Sequence, residues 1–485
     1  MNKNAKNIAA GACRTGVTAI FSLILLGCNF APSYEQPEGM VPTALRSGAA
    51  SEPAAEAAEP DLAWVATLDW VQDERLRQVL ALALTHNRDL RVALEHVERA
   101  RAQYGIARAD LLPSLSAQLE GRRSRNAADL SGGDSRVSEQ VSASIGLASY
   151  EIDLWGRVRN LKDAAWQQFL QEEANRRNVQ ITLVAEVANA WLNLAADQER
   201  LQLAQQTLQA RAKSHDLTQR MWELGAASGL TRAQSQSSLH SAQGDVARYS
   251  AQLERSRNAL QLLLGVPLPA ALQPTPGALL QDVALLQDVP AQLPSSVLLQ
   301  RPDVQAAEHA LRAQNAQIGA ARAAFFPSIS LTASVGSGST ELDGLFTGPN
   351  RTWSFVPLLK LPIFSGGRLR AGVEVAQANQ RAAVAQYEKA VQTAFREVAD
   401  VLADRAQWQA RLDAQNAVVA STAQVQQLSQ ARFEAGADDY LVVLDAQRSL
   451  YAAQQGLIDL RLAEQQNRIT LWKVLGGARR APEEG

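Results

Sequence analysis

The chain has 485 residues, and its charges nearly balance, with 47 Lys and Arg against 49 Asp and Glu. This balance excludes the strongly basic surface that is typical of nucleic-acid-binding proteins. Aromatic residues make up only 5% of the chain, and Ala, Gln, Leu and Arg dominate its long middle stretches. That composition favours extended helices over a thick globular core.

The N-terminus has the features of a secretory signal peptide. Basic residues precede an apolar run at 17–26, which is too short to span a membrane as a helix. The run ends in Leu-Leu-Gly-Cys and resembles a bacterial lipobox, which implies cleavage before Cys28 and acylation of its thiol. Asn29 stands where an aspartate would signal inner-membrane retention, so delivery to the outer membrane is implied. The alternative is an ordinary signal peptide with an incidental cysteine.

The rest of the chain contains two copies of one long unit. Residues 103–116 are similar to residues 317–330, and residues 217–243 are similar to residues 428–454, in the same order. Self-similarity at a fixed period decides the architecture, so the sequence predicts two structural repeats. The predicted segments are a signal peptide at 1–27, a lipidated extended tether at 28–60, a first repeat at 61–280, a second repeat at 281–478 and a C-terminal tail at 479–485.

Each repeat is predicted to contain a very long helix. Residues 158–224 and 369–435 each lack an interior proline, and a helix of that length would measure about 100 Å. Such a helix belongs to a coiled coil or a tunnel wall rather than to a compact domain. Gly225 and Gly436 follow these stretches, and glycine can adopt the left-handed conformation that caps a helix. Short loops and return helices are expected after them.

Strands are predicted before each long helix, because the apolar period there changes from 3.6 to 2. Apolar residues alternate with small polar ones at 328–335, 115–120 and 141–147, which indicates strands with one apolar face. Two strands per repeat give four per chain, and four strands cannot close a barrel. Three chains would supply the twelve strands of a closed barrel, with an apolar outer face and a polar lumen.

Several motifs, taken together and in order, resemble the outer membrane factor family of TolC-like, OprM-like and NodT-like efflux lipoproteins. They are residues 28–34, 301–304, 318–319, 326–331 and 436–450. The resemblance implies a mixed α/β membrane protein, a trimeric 12-stranded transmembrane β-barrel with four strands per chain, continuous with a long α-helical periplasmic barrel. It also implies docking to an inner-membrane efflux pump through a periplasmic adaptor protein.

The same resemblance implies a periplasmic gate at Leu441 and Asp445, which lie one helical turn apart. Threefold symmetry would convert each position into a ring near the channel axis. The alternative for Asp445 is a helix-surface aspartate paired with Arg448.

The loop that follows Gly436 carries two further candidates, Asp438 and Asp439. Their functional interpretation is contact with the adaptor or a polar latch beside the gate, and the alternative is ordinary turn chemistry. The matching loop after Gly225 lacks these acids, so the two hairpins are not equivalent.

Four aromatic residues near the strand ends, Trp155, Phe325, Phe326 and Phe364, are candidates for a girdle at the membrane interface. The alternative is packing where helices meet strands.

Enzymatic chemistry has little support. The five histidines are scattered, with no metal-spaced cluster and no phosphate-binding loop, so no catalytic residue, metal or bound cofactor is expected apart from the lipid on Cys28. The preferred interpretation is the outer-membrane exit duct of a tripartite efflux system, a homotrimer with a pump and an adaptor as partners and no nucleic acid. The alternative is an exported coiled-coil structural lipoprotein that does not span the membrane.

Overall fold

A computed structural model describes residues 29–37, 41, 44–46, 62–64, 70–125, 127, 129, 137–275, 277–280 and 292–480. Cys28, the signal peptide and most of the predicted tether lie outside the described residues. The chain divides into two compact units. The first unit comprises Met1–Glu38, His96–Glu173 and Ala306–Tyr387, and the second comprises Gly39–Glu95, Ala174–Gln305 and Glu388–Gly485.

The first half contains two short strands, two helices, two longer strands and one hairpin of long helices. In chain order they are β1 (Ala44–Arg46), β2 (Leu62–Trp64), α1 (Glu74–His86), α2 (Arg88–Ala109), β3 (Leu115–Arg125), β4 (Val137–Ile152), α3 (Arg157–Glu223) and α4 (Gly229–Leu264). The prediction of a single long helix after the strands is confirmed by the 67 residues of α3.

The second half follows the same general plan of a helix, two longer strands and a helical hairpin. It contains β5 (Gln292–Pro294), α5 (Pro302–Ala323), β6 (Ser328–Ser339), β7 (Arg351–Lys360), α6 (Arg368–Arg405), α7 (Trp408–Glu434), α8 (Tyr440–Val474) and β8 (Ala478–Arg480). Short 3-10 turns occur at Ala270–Leu272, Ala278–Leu280, Ser295–Gln300 and Gly348–Asn350.

The prediction of one unbroken helix over residues 369–435 is wrong, because the chain turns at residues 406–407 between α6 and α7. The Asn467 side-chain amide donates to the Val401 carbonyl oxygen at 3.2 Å. A side chain that takes a carbonyl from the helical ladder is a recognised cause of a kink. The Gln407 N–H then bonds to the Asp404 carbonyl three residues back, which tightens the turn.

A four-stranded antiparallel sheet lies in the first unit, in the order β3-β4-β6-β7. Leu115 pairs with Leu147, Leu147 with Ala333, and Ala333 with Phe355. Strands β3 and β7 are therefore the two free edges within one chain. A bulge interrupts the register of β4 and β6 between Leu147 and Tyr150, where Ser149 has a positive φ of 53°.

The hydrophobic core of the second unit forms where α1, the middle of α3, the end of α4 and the end of α8 pack together. Trp191, Leu192, Leu260 and Leu264 are fully buried there, and the Trp191 indole N–H donates to the Leu272 carbonyl at 3.1 Å. Two short strand pairs, β1 with β5 and β2 with β8, belong to the same unit. This core fixes the bases of the two helical hairpins.

Candidate functional site

The two predicted glycine caps stand at the ends of the helical hairpins. Gly225 and Gly436 have φ values of 74° and 72°, and their N–H groups donate to the Trp222 and Phe433 carbonyls, both at 2.9 Å. Positive φ is strained for any residue with a Cβ, so both positions favour glycine. Each glycine reverses the chain so that the return helix can pack on the outgoing one.

The predicted gate residues lie on the exposed side of α8 at its first two turns. Tyr440, Val443 and Leu444 are buried in a small cluster with Phe433, whereas Leu441 is 53% exposed and Asp445 is also exposed. This alternation leaves Leu441 and Asp445 pointing away from their own hairpin. Within the described chain no ion pair joins Asp445 to Arg448, so the alternative interpretation of Asp445 as one half of a surface pair is not realised.

The two acids of the tip loop have different surroundings. Asp438 accepts from Arg432 Nε at 2.6 Å and Nη2 at 2.9 Å, a bidentate clasp across the base of the loop. Asp439 occupies the N-cap position of α8, but its side chain caps no backbone N–H and is exposed to solvent. The turn-chemistry interpretation therefore suits Asp438, and Asp439 is left accessible.

Arg432 is expected to lower the pKa of Asp438. The hydrogen bonds from Arg432 hold the pKa of Asp438 below its ordinary value of 3.8, so the clasp is present at neutral pH and is lost only as pH falls through that lowered pKa. We expect a carboxyl NMR titration to place the Asp438 pKa below 3.8 in the wild type and near 3.8 in Arg432→Gln. Asp439→Asn is the control that should leave this titration unchanged. Equal Asp438 pKa values in the wild type and Arg432→Gln would contradict the clasp.

The first hairpin ends in a different way. Ser228 caps α4 by accepting from the Thr231 N–H at 3.1 Å, and the Arg232 guanidinium lies 4.1 Å from the centre of the Trp222 ring. Leu224 and Leu230 are largely exposed beside them. This end presents apolar and aromatic surface where the second hairpin presents carboxylates. The sequence predicted that the two hairpins differ and that the first lacks the acids, but it did not predict the apolar surface.

Contacts that the sequence did not predict tie the gate helix to α3. The Tyr440 hydroxyl lies 2.6 Å from the Ser214 hydroxyl. Arg211 is almost fully buried, donates to the Ser238 carbonyl at 3.2 Å and lies 5.7 Å from the Tyr451 ring. Burial lowers the pKa of Arg211, because a charged group loses its water there. No sequence signal distinguishes this arginine from the many surface arginines around it.

The register of the sheet assigns one face to lipid and the other to the lumen. Odd-numbered residues of β3, β6 and β7, and of β4 up to the bulge after Leu147, share one face. Among them Leu115, Leu119, Ile145 and Val335 are each more than half exposed. Even-numbered positions of β3, β4 and β6 are mostly Ser, Thr, Gln and Gly. A single chain cannot cover such an apolar face by itself, so this face is suited to the membrane. Trp353 and Phe355 of β7 also lie on this face, and neither was predicted from the sequence.

The four predicted interface aromatics separate into two groups. The Trp155 and Phe326 rings stack with centroids 5.0 Å apart, and Phe30 stacks on Phe326 at 4.5 Å. The Trp155 N–H donates to the Pro327 carbonyl at 2.7 Å. These two follow the alternative interpretation, packing where helices meet strands. Phe325 is 44% exposed and Phe364 is 91% exposed, and no ring contact is found for either among the described residues, so these two are available to lipid.

The described start of the predicted tether, residues 29–37, does not run free but lies along one face of α5. The Phe30 carbonyl accepts from Arg322 at 3.2 Å and the Pro32 carbonyl accepts from Asn315 at 2.8 Å. A Cβ on Gly319 would lie 2.8 Å from the Ala31 nitrogen, so only glycine allows this close approach. The prediction of an extended tether at 28–60 did not include this docking, which arises because α5 offers several polar partners to residues 29–37.

Tyr34 and Gln36 extend this docking. The Tyr34 hydroxyl donates to Glu308 at 3.0 Å, with the Arg312 guanidinium 4.7 Å from its ring, and the Gln36 amide donates to the Tyr387 hydroxyl at 2.8 Å. Burial raises the pKa of Tyr34 to about 12, so its hydroxyl keeps the donated proton at physiological pH.

A lipid-facing four-stranded sheet, long helical hairpins and a docked N-terminal segment define an outer-membrane channel subunit. The chain belongs to the outer membrane efflux protein family, whose model matches residues 79–266 and 293–477.

Known relatives are similar over nearly the whole chain. The antibiotic efflux pump outer membrane protein ArpC of Pseudomonas putida is 42% identical over 462 residues, covering 95% of this chain and 94% of the relative. Outer membrane protein OprJ of Pseudomonas aeruginosa is 43% identical over 468 residues, covering 95% of each chain. The open state of the MtrE outer membrane channel of Neisseria gonorrhoeae superposes with a TM-score of 0.81 at 38% identity, covering 93% of this chain and 98% of that one.

These likenesses confirm the predicted family, fold class and location. The chain is an outer-membrane efflux channel that extends into the periplasm, and its fold is that of a trimeric 12-stranded barrel with four strands per chain and long helices. The alternative of a coiled-coil lipoprotein that does not span the membrane is set aside.

Proposed function

We propose that this channel is the exit duct for cargo delivered by an inner-membrane pump through a periplasmic adaptor, and that it performs no enzymatic chemistry. The observation that carries the proposal is the exposure of Leu441 and Asp445 at the start of α8, next to the buried Tyr440, Val443 and Leu444. Such a surface has no use within a single chain but suits a ring around a threefold axis. The names of relatives, which include antibiotic and toluene efflux proteins, support small organic molecules as the cargo class.

The gate works through two rings of different chemistry. Three copies of Leu441 form an apolar constriction, and three copies of Asp445 lie one turn further along α8. Carboxylates about 8 Å apart repel by about 2 kcal/mol per pair at an effective dielectric near 20. The acidic ring is therefore strained when closed, and cations or basic partner groups can relieve that strain.

The adaptor contacts the ends of the hairpins. Asp439 is accessible at the end of the second hairpin, and the exposed Leu224 and Leu230 offer apolar anchors at the end of the first hairpin. Aromatic and aliphatic anchors with a charged rim are typical of protein interfaces. The difference between the two hairpin ends gives each of them a different partner surface.

Photo-crosslinking in cells tests this assignment. A photoreactive amino acid in place of Asp439 is expected to form an adduct with a periplasmic adaptor that also binds an inner-membrane pump. The same probe in place of Arg396, which is exposed on α6, is the matched control and should give no such adduct. Equal labelling from both positions, or none from position 439, would refute the tip as the adaptor site.

We also propose that Cys28 carries the lipid anchor. The residues that follow it dock on the protein, where Phe30 stacks on Phe326 at 4.5 Å, two residues before the start of β6. Mass spectrometry of the N-terminal peptide of the mature protein should find acyl chains on Cys28, and an unmodified peptide would exclude this part of the proposal.

A further inference from the structure

The lipid-facing surface of β7 ends in an aromatic and a basic residue. Trp353 pairs in register with Val335 and is 80% exposed, and Arg351 pairs with Ser337 two positions further from the helices. Both side chains belong to the apolar face defined above. A charge that faces hydrocarbon is destabilising, so an arginine on this face needs a polar or anionic partner.

The position of Arg351 along the strand places it at the outer edge of the membrane. From Leu359, the last apolar residue of this face near the helices, to Arg351 is eight residues, or about 27 Å along the strand. At a strand tilt near 40° this is about 20 Å of height, close to the roughly 25 Å of a barrel's apolar band. Arg351 therefore lies at the headgroup level of the outer leaflet, with Trp353 just inside it.

The Arg351 side chain makes no hydrogen bond or ion pair with the residues that the structure describes. Arg123, another basic residue on this face, is paired with Glu139 at 2.7 Å. Glu341 and Asp343 are exposed in the β6–β7 loop, and neither is bonded to Arg351. The Arg351 guanidinium is therefore available to bind an external anion.

The β6–β7 loop beside Arg351 is held in one conformation. The Ser337 hydroxyl lies against the carbonyl oxygens of Leu345 and Asn350, the latter at 2.8 Å, and the Asn350 amide donates to the Gly344 carbonyl at 2.7 Å. The loop nevertheless exposes Phe346 by 82%. A fixed loop that presents an aromatic ring at the headgroup level is preorganised to contact lipid.

We propose that Arg351, with Trp353 and Phe346, forms a binding site for a phosphate-bearing lipid headgroup of the outer leaflet, of the phosphorylated glycolipid class. The planar guanidinium can donate two parallel hydrogen bonds to a phosphate, its aliphatic stem lies along the apolar face, and the two rings lie at the boundary with the acyl chains. The site contributes to holding each subunit at a defined depth in the membrane.

The test uses purified full-length trimers incubated with diphosphorylated lipid A, and it measures bound lipid by native mass spectrometry. Arg351→Gln is expected to lower the affinity for this lipid about fivefold, the effect of one basic residue at an anionic membrane surface. Arg122→Gln is the matched control: Arg122 is exposed at the same end of the sheet but on the lumen face, paired in register with Gln140. This control should bind lipid A as the wild type does.

Three further results decide the proposal. Enzymatically dephosphorylated lipid A should bind the wild type and Arg351→Gln equally, and Arg351→Lys should restore part of the binding. An equal loss in Arg122→Gln would overturn the site, because diffuse charge would then suffice. Displacement of lipid A by inorganic phosphate at similar concentration would overturn the lipid as the occupant. Unchanged lipid binding in Arg351→Gln, with trimers that dissociate at lower temperature, would instead assign Arg351 to an acid of a second copy.

Discussion

Replacing Leu441 and Asp445 together with alanine is expected to make the channel leak. The double variant removes both the apolar ring and the acidic ring, and it leaves the buried contacts of Tyr440, Val443 and Leu444 intact. The fold should therefore survive. We expect a several-fold rise in single-channel conductance in planar bilayers and increased uptake of bulky antibiotics by cells that express the variant.

The repeat supplies the control for this experiment. Leu230 and Gln234 occupy the matching positions of the first hairpin, and Leu230 is 69% exposed. Alanine at both should leave the single-channel conductance in planar bilayers, where no adaptor is present, at the wild-type value if only the second hairpin forms the gate. A leak of similar size from both double variants would show that general loosening of the hairpin ends, rather than loss of the rings, opens the channel.

The contacts of Tyr440 and Arg211 couple the gate to the packing of α8 on α3. Because the Tyr440 hydroxyl contacts Ser214 and Arg211 lies against Tyr451, an outward movement of α8 must separate a buried hydroxyl pair and expose a buried guanidinium. Neither group is free to move without losing a partner. The constriction is thus coupled to the packing of α8 on α3, and an adaptor that grips the hairpin ends acts on that packing.

Much of the fold follows from sequence because the repeat, the proline gaps and the capping glycines are local signals. The 67 residues of α3 and the positive φ of Gly225 and Gly436 needed no tertiary information. The break between α6 and α7 did, since it depends on a hydrogen bond from Asn467, more than fifty residues away in the chain. The boundary between α1 and α2 at Asn87 also depends on a distant contact, because the Asn87 side-chain amide donates to the Leu263 carbonyl at 2.8 Å.

The candidate sites were predictable only where function follows from position in an element. Leu441 and Asp445 share a helix face by spacing alone. The lipid-facing aromatics were missed because the alternation of Thr352, Trp353, Ser354 and Phe355 is short and runs into the wholly apolar residues 355–359. The pairing with β6 then assigns Trp353 to the lipid face. The docking of residues 29–37 was missed for a related reason: a segment rich in proline and polar residues resembles a linker until its partners on α5 are known.

The assignment of the sheet faces predicts opposite outcomes for two neighbouring residues of β3. Leu119 is 70% exposed on the apolar face, four residues into the eleven-residue β3, and Gln118 is exposed on the polar face. Leu119→Arg would place a guanidinium in hydrocarbon at a cost of about 2–4 kcal/mol per subunit. Three subunits multiply that penalty, and we expect heat-modifiable trimers of Leu119→Arg to be nearly absent from outer-membrane fractions. Gln118→Arg adds the same group to a water-filled lumen and should assemble at close to the wild-type level. Equal recovery of both variants would mean that neither face meets lipid, whereas loss of Gln118→Arg alone would reverse the inside and the outside of the barrel.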